Sequence, residues 1–195
     1  MVGTRLSERA ILAAATELTR RHGVKGLTMR TLAEALGVSP MATYHYVSSR
    51  DELLLLVADE VMRPVQPPPP GASWDERLWA FMTEMGDALA ALPGLADFLL
   101  QNDLTGESRR YMRQCIALIR DGGFDEREAR QAFVAIYTYM WGSYLFLAVR
   151  NSRVTTRGRR RAGQVPSADE LASRPNLEVG YRALVAGLEQ TVRGS

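Results

Sequence analysis

Residues 27–53 read LTMRTLAEALGVSPMATYHYVSSRDEL, and the fold turns on this stretch. Thr28 is a hydroxyl N-cap at the head of a short run whose apolar face is Leu32, Ala33 and Leu36. Gly37 follows where a helix ends on a left-handed residue, and Val38 plugs the turn. Ser39 caps a second short helix, predicted to run to about Tyr46, with Pro40 at the first position, where its missing N–H is harmless. Ser49 and Glu52 have the spacing of a capping box opening another helix, with Leu53, Leu56, Val57 and Val61 as its expected inner face. Two short helices joined by a Gly-Val-Ser turn make a helix-turn-helix pattern, whose second helix enters the major groove of DNA.

Working outward, a helix upstream starts after Ser7, carries Ile11, Ala14, Ala15 and Leu18 at helical spacing, and stops at Gly23. Val24 and Leu27 read as core plugs. Downstream, Pro64 ends the connecting helix, and residues 64–72 (PVQPPPPGA) form a stiff, proline-rich linker. The chain therefore divides into a helix-turn-helix domain over 1–48, a connecting helix and linker over 49–72, and a helical body over 73–195. In the body a Ser73–Glu76 capping box precedes a stripe of Leu78, Met82, Met85, Leu89 and Leu92. A short helix is expected over 95–102 and another over 106–121, with Tyr111, Cys115 and Leu118 inward. Asp125 with Glu128 opens a long apolar helix to about Asn151, and a last helix runs from Leu177 to about Val192. No alternating strand pattern is seen, so the expected class is all-α: a three-helix head plus a larger helical body, about nine to ten helices.

At 195 residues and 46% hydrophobic, the chain can build a sizeable core. The net charge of +2 is unevenly spread, for residues 1–50 hold seven basic groups against Glu8, Glu17 and Glu34. A basic end on a near-neutral body suits a polyanionic partner at that end, although a solvated surface looks the same. Cys115 is the only cysteine, which excludes an intrachain disulfide and fits a cytoplasmic protein. The early apolar stretch Ile11–Leu18 is broken by Thr16 and Glu17 and is no signal sequence. Residues 132–149 lack charge and reach the lower edge of a membrane span, yet Tyr137, Tyr139, Trp141 and Tyr144 fall mid-segment. A helix buried in a soluble assembly is the expectation, with no membrane partner. The basic run Arg153–Arg161 reads as a solvated loop, and Ser167–Glu170 as a further helix start.

The chemistry of the opening segment suits double-stranded DNA. Ser39 and Pro40 begin the recognition helix, so free N–H groups can face a phosphate. Thr28, Tyr44 and Tyr46 supply hydroxyls for phosphates, and Arg30 can take a guanine edge in bidentate fashion. Met41, Ala42 and His45 fall on the outward side, within reach of a thymine methyl or a base edge. Packing in a small bundle is the competing role for both tyrosines. No Ser-His-Asp set, glycine-rich phosphate loop or metal cluster is present, so an enzyme is not expected.

The run GLTMRTLAEALGVSPMATYHYVSSRDELL, with its Gly-Leu-Thr opening, Leu-Ala pair, Gly-Val-Ser turn, tyrosine and following basic residue, resembles the DNA-binding head of the tetracycline-repressor (TetR) family over residues 7–62. Thr43 departs from it where an apolar residue is usual, Tyr46 where histidine is frequent, and Arg50 stands for a lysine near the phosphate backbone. The ending NLEVGYRALVAGLEQTV is similar to the closing helix of the tetracycline-repressor subgroup. The resemblance implies a homodimeric repressor released from a palindromic operator by a small ligand. It implies a ligand-binding and dimerisation role for 73–195. Trp79, Met82, Met85, Phe98, Tyr111, Met112, Phe133, Tyr137 and Met140 are the expected cavity residues, apolar and adaptable, with ordinary core as the alternative for each. Trp141, Tyr144, Tyr181, Leu184 and Leu188 are the expected interface residues. Both histidines, His22 and His45, lie in the head, whereas the family's tetracycline sensors use body histidines for drug and magnesium. A metal site is therefore not expected, and a neutral, hydrophobic effector is.

Overall fold

Caps and breakers cut the chain into nine helices among the described residues of the computed structural model, which are 6–151 and 173–191. They are α1 (Glu8–Gly26), α2 (Met29–Leu36), α3 (Pro40–Tyr44), α4 (Arg50–Met62), α5 (Trp74–Ala90), α6 (Leu95–Leu100), α7 (Gly106–Asp121), α8 (Glu126–Asn151) and α9 (Arg174–Thr191). The all-α class stands. The expected features at Arg153–Arg161 and Ser167–Glu170 lie outside the described residues.

Most boundaries follow the sequence logic. The Ser7 hydroxyl accepts from the Ala10 N–H at 3.2 Å, and Asp125 and Glu128 exchange bonds of 2.7 and 2.8 Å. Gly23 breaks α1 with φ 68 and ψ 176, as expected of the stop signal. α3 ends at Tyr44 rather than Tyr46, and α9 begins at Arg174, three residues early. At the start of α4 the Ser49 hydroxyl accepts from Glu52 N–H at 3.0 Å, but the Glu52 carboxylate turns to Ser48, taking its N–H at 2.6 Å and its hydroxyl at 2.5 Å. Those hydrogen bonds hold the Glu52 carboxyl below its ordinary range.

The helices gather into two compact units, neither continuous in sequence. The first holds residues 1–66 with 87–111. Its core includes Ile11, Ala15, Leu27, Leu32, Leu53, Leu54, Val57 and Leu95, all essentially inaccessible. Leu56, expected inward on α4, is instead 42% exposed, because Leu54 and Ala58 take the buried stripe with Leu53, Val57 and Met62. The Val24 N–H donates to the Pro93 carbonyl at 2.8 Å, tying the end of α1 to the α5–α6 turn. The second unit holds 67–86 with 112–195. Leu78, Phe81, Ile119, Ile136 and Tyr181 are buried there; Phe81 was not singled out by the stripe read from sequence. Trp74 packs edge-on against Phe124 at 5.4 Å, and Arg77 bonds the Pro68 carbonyl at 3.2 Å and Asp121 at 3.0 Å. Among the described residues no helix is long and apolar enough to cross a membrane.

Candidate nucleic-acid interface

The helix-turn-helix assembles from its caps. The Thr28 hydroxyl accepts from Thr31 N–H at 3.0 Å and the Thr31 hydroxyl accepts from Thr28 N–H at 2.9 Å, a reciprocal box in which threonine replaces the usual glutamate. Gly37 closes α2 at φ 68, ψ 31, with its N–H on the carbonyls of Ala33 and Glu34. A side chain at that φ is strained, so glycine turns the corner most cheaply. Ser39 caps α3, accepting from Ala42 N–H at 3.3 Å.

α3 then presents its outer side to solvent. Met41 is 72% exposed, Tyr44 49%, and Pro40 and His45 are also exposed, with Ala42 half-buried. The inner side is Thr43, fully buried, whose hydroxyl donates to the Pro40 carbonyl at 2.7 Å. That bond explains how a threonine occupies a position where apolar residues are usual: its polar atom is satisfied within its own helix turn. Arg30 lies on the exposed side of α2, its guanidinium on Glu34 at 2.9 Å with 84% of the side chain in solvent. An exposed i,i+4 pair of this kind is easily exchanged for a stronger anion.

Two expected phosphate contacts have other partners. The Tyr46 hydroxyl donates to the Leu6 carbonyl at 2.9 Å, fastening the start of α1. Its single O–H is then used inside the protein. Arg50 donates from Nε to Leu27 O at 2.7 Å and from Nη2 to Val24 O at 2.6 Å, with Nη1 on Asp51 at 3.1 Å. All three guanidinium nitrogens are engaged, so Arg50 clamps the end of α1. The resemblance implied a phosphate; what decides its role is that the Val24 and Leu27 carbonyls at a helix C-terminus lie within its reach.

The expected effector residues divide between the units. Phe98 and Tyr111 fall in the first, and Trp79, Met82, Met85, Met112, Phe133, Tyr137 and Met140 in the second. Met82, Met85, Phe133 and Met140 are buried, and Trp79, Met112 and Tyr137 are half-buried. Along α8, Phe133, Tyr137 and Trp141 form an aromatic ladder with ring spacings of 5.2 and 5.5 Å. Burial pushes the Tyr137 phenol up to about 12. The Trp141 Nε1–H is buried and has no hydrogen-bond acceptor among the described residues.

The expected interface residues are partly committed elsewhere. Tyr181 is 1% exposed, packs on Trp79 at 5.0 Å and donates to the Asp75 carbonyl at 2.8 Å, so it is core. Burial drives its phenol far above the ordinary range. Tyr144 donates to Thr83 O at 3.2 Å and covers Gly86, where a Cβ would fall 2.1 Å from its ring. Leu184, Leu188 and Trp141 are half-buried. Among the described residues of α8 and α9 the exposed large apolar side chains are Val134 at 61% and Val179 at 67%, the latter followed by exposed Ala183, Ala186 and Gly187. That stripe of small residues was legible at helical spacing, but large side chains drew the assignment to the other face.

The sequence matches the description "Bacterial regulatory proteins, tetR family" over residues 11–57 and "Tetracyclin repressor-like, C-terminal domain" over 66–191. It is 32% identical over 140 residues to an HTH-type transcriptional regulator of Saccharopolyspora erythraea, an alignment covering 71% of this chain and 59% of that one. It is 29% identical over 171 residues to the HTH-type transcriptional repressor DrrR1 of Streptomyces coeruleorubidus, covering 86% of this chain and 62% of that one. The chain thus spans about three-fifths of the length of these two relatives. Its fold is similar to BioQ solved with its natural double-stranded DNA operator (TM-score 0.70, 25% identity, 94% and 98% of the two chains). It is also similar to ActR of Streptomyces coelicolor in complex with actinorhodin (TM-score 0.75, 24% identity, 95% and 96%). On these matches across both halves, the chain belongs to the tetracycline-repressor (TetR) family of bacterial regulatory proteins.

Proposed function

We propose that this protein is a dimeric transcriptional repressor that holds a palindromic DNA operator through α2 and α3 and is released by a small hydrophobic ligand. The observation that carries it is the outer surface of α3. An intact helix-turn-helix, capped by Thr28 and Ser39, leaves Met41, Tyr44 and His45 exposed beside Arg30, which is itself exposed and paired with Glu34. A large, mobile apolar side chain in solvent at the start of a short helix has little folding value and suits a groove contact. The names of the relatives, a repressor among them, and the operator-bound BioQ agree with this use. Thr28, Arg30, Ser39, Met41, Ala42, Tyr44 and His45 remain the proposed contacts. Pro40 sets the entry of α3.

Dimerisation is proposed through the outward stripe of α8 and α9 around Val134 and Val179, which gives a two-fold protein for a two-fold site. For the effector, the ladder on α8 offers flat apolar surface, and the Trp141 N–H, without an acceptor among the described residues, asks for one. An apolar molecule bearing a carbonyl or ether oxygen meets both needs, since a buried donor left unpaired is a standing penalty of about 1–3 kcal/mol. Binding that favours the form with splayed heads would empty the operator.

The test is selection of bound fragments from a genomic pool at fixed salt, with wild type beside the Arg30→Ala/Tyr44→Phe double variant. Enrichment of one palindrome by wild type, weakened roughly ten- to a hundredfold in the variant, is the expected outcome. Binding that fades with salt and ignores the substitutions would overturn the proposal.

A further inference from the structure

α1, the turn at Tyr46 and Val47, and α4 leave an open groove of about 910 Å³ between them, within the first compact unit. Its α1 wall is the ridge Arg9, Ala13 and Glu17, with Leu12 and Thr16 alongside. Residues four apart stand above one another on a helix, so the three ridge residues share one face. Arg9 and Ala13 are exposed, Leu12 and Thr16 are half-buried, and the Glu17 side chain is 44% exposed. From α4 comes Leu56, the exposed leucine of that helix. The groove thus has an apolar strip that the core of the first unit does not cover.

The charges on the rim decide what fits. Glu8, Glu17 and Glu60 balance Arg9, Arg20 and Arg63, so the groove favours neither a polyanion nor a polycation. An apolar strip with balanced charge is matched by an occupant carrying the same mixture. The face of α1 is its own complement. Arg9 and Glu17 stand one turn either side of Ala13, about 6 Å along the axis in each direction. When a second α1 lies antiparallel with Ala13 at the two-fold axis, Arg9 of each copy meets Glu17 of the other. Arg9 makes no ion pair with any described residue. Glu17 accepts from Arg20 at 2.9 Å and from Arg21 at 2.5 Å, and a carboxylate has further lone pairs for another guanidinium. The small Ala13 side chain lets two helix axes approach closely, and Leu12 and Leu56 supply apolar area beside the contact.

We propose that this groove is where two copies of the chain meet head to head, α1 against α1 and antiparallel, with Ala13 on the two-fold axis. The contact is separate from the stripe around Val134 and Val179 proposed for dimerisation, so it joins one dimer to the next. One helix face and two leucines from each copy bury less than the roughly 1,000 Å² of a standing interface, so the contact is weak in free solution. It acts when regulators already sit side by side on DNA, where their local concentration reaches about the millimolar range. Only that use rests on the regulator proposal. The pairing itself is a property of the first compact unit and is measured without DNA or effector.

Sedimentation of the full chain between about 10 μM and about 1 mM should show the mass rising above that of the dilute species, as a weak contact requires. Arg9→Glu sets like charges against each other on both sides of the axis, and Glu17→Arg does the same. Each should weaken the association about tenfold. Arg9→Glu/Glu17→Arg puts opposite charges back across the axis and should return it to within about threefold of wild type. Glu17→Arg also leaves Arg20 and Arg21 without their carboxylate, so unfolding midpoints are compared. A second probe leaves Glu17 in place and decides the matter by itself. Ala13→Cys sets a thiol on the axis, where the Cα atoms of facing copies lie within the roughly 7 Å that a disulfide spans. Cys115, the only native cysteine, is buried. With oxidised glutathione, Ala13→Cys should form disulfide-linked pairs, and Ala13→Cys/Arg9→Glu should form them about tenfold more slowly. Linkage through position 13 that slows in this way supports the head contact, as does recovery in the charge-exchanged variant. A mass that stays constant to the highest concentration, linkage that ignores Arg9→Glu, or a folded charge-exchanged variant as weak as either single one overturns it.

Discussion

At the residue scale, the informative positions are those whose neighbours assign a role that the side chain alone leaves open. Gly23 has a positive φ of 68 and lies so close to the α5–α6 turn that a Cβ would fall 2.9 Å from the Pro93 carbonyl oxygen. Gly23→Ala therefore meets backbone strain and backbone contact together, and should lower stability by about 1–3 kcal/mol in urea unfolding. A change under about 0.3 kcal/mol would mean the turn moves aside freely. Sequence marked Gly23 as a helix stop but could not show what presses against it. Tyr137 gives a pH prediction. Its phenol is raised from 10.0 to about 12, mainly by burial. A raised value means the folded state keeps its proton while the unfolded chain has lost it. Stability is thus complete below about pH 10 and declines as pH climbs through about 12, by up to about 3 kcal/mol. Urea midpoints across that window should fall less steeply in Tyr137→Phe than in wild type. Equal slopes would refute the assignment.

At the element scale, caps decide. Thr28 satisfies the Thr31 N–H and Thr31 returns the bond, so α2 depends on a pair of threonines in place of the common Ser-x-x-Glu. Thr28→Ala removes the bond to the Thr31 N–H, leaves the returning bond from the residue 28 backbone N–H, and should cost about 1 kcal/mol, with operator binding weakened further if α2 shifts. Denaturant midpoints check the first part, and a midpoint equal to wild type would show that Thr31 caps alone. Helix existence and order were legible, because hydroxyl caps, stop glycines and apolar periodicity are local signals. The inner face of α4 was less so. Leu53, Leu54, Leu55 and Leu56 are consecutive leucines, and periodicity cannot choose among four equal side chains; Leu56 ended outside and Leu54 inside. The Arg50 clamp was invisible for a related reason. Arginine reads as surface charge until two carbonyls distant in sequence are placed beside it.

At the scale of the whole molecule, surfaces matter. Val134 and Val179 are exposed, and the small residues after Val179 permit close approach of a second copy. Val179→Asp should convert the proposed dimer to monomer in sedimentation at micromolar concentration and abolish the proposed palindrome binding with it. A dimer that survives would move the proposed interface elsewhere. The sequence by itself determined the all-α class, the helix-turn-helix and the family resemblance, since each rests on local spacing within a few turns of chain. Only the tertiary structure decided which aromatic residues are core and which chemistry each charged group performs. Tyr181 and Tyr144, expected at an interface, bond Asp75 and Thr83, and Tyr46 and Arg50, expected on phosphates, bond Leu6, Val24 and Leu27. A hydroxyl or guanidinium takes the nearest unsatisfied carbonyl in space, and nearness in space across tens of residues is not written in local pattern.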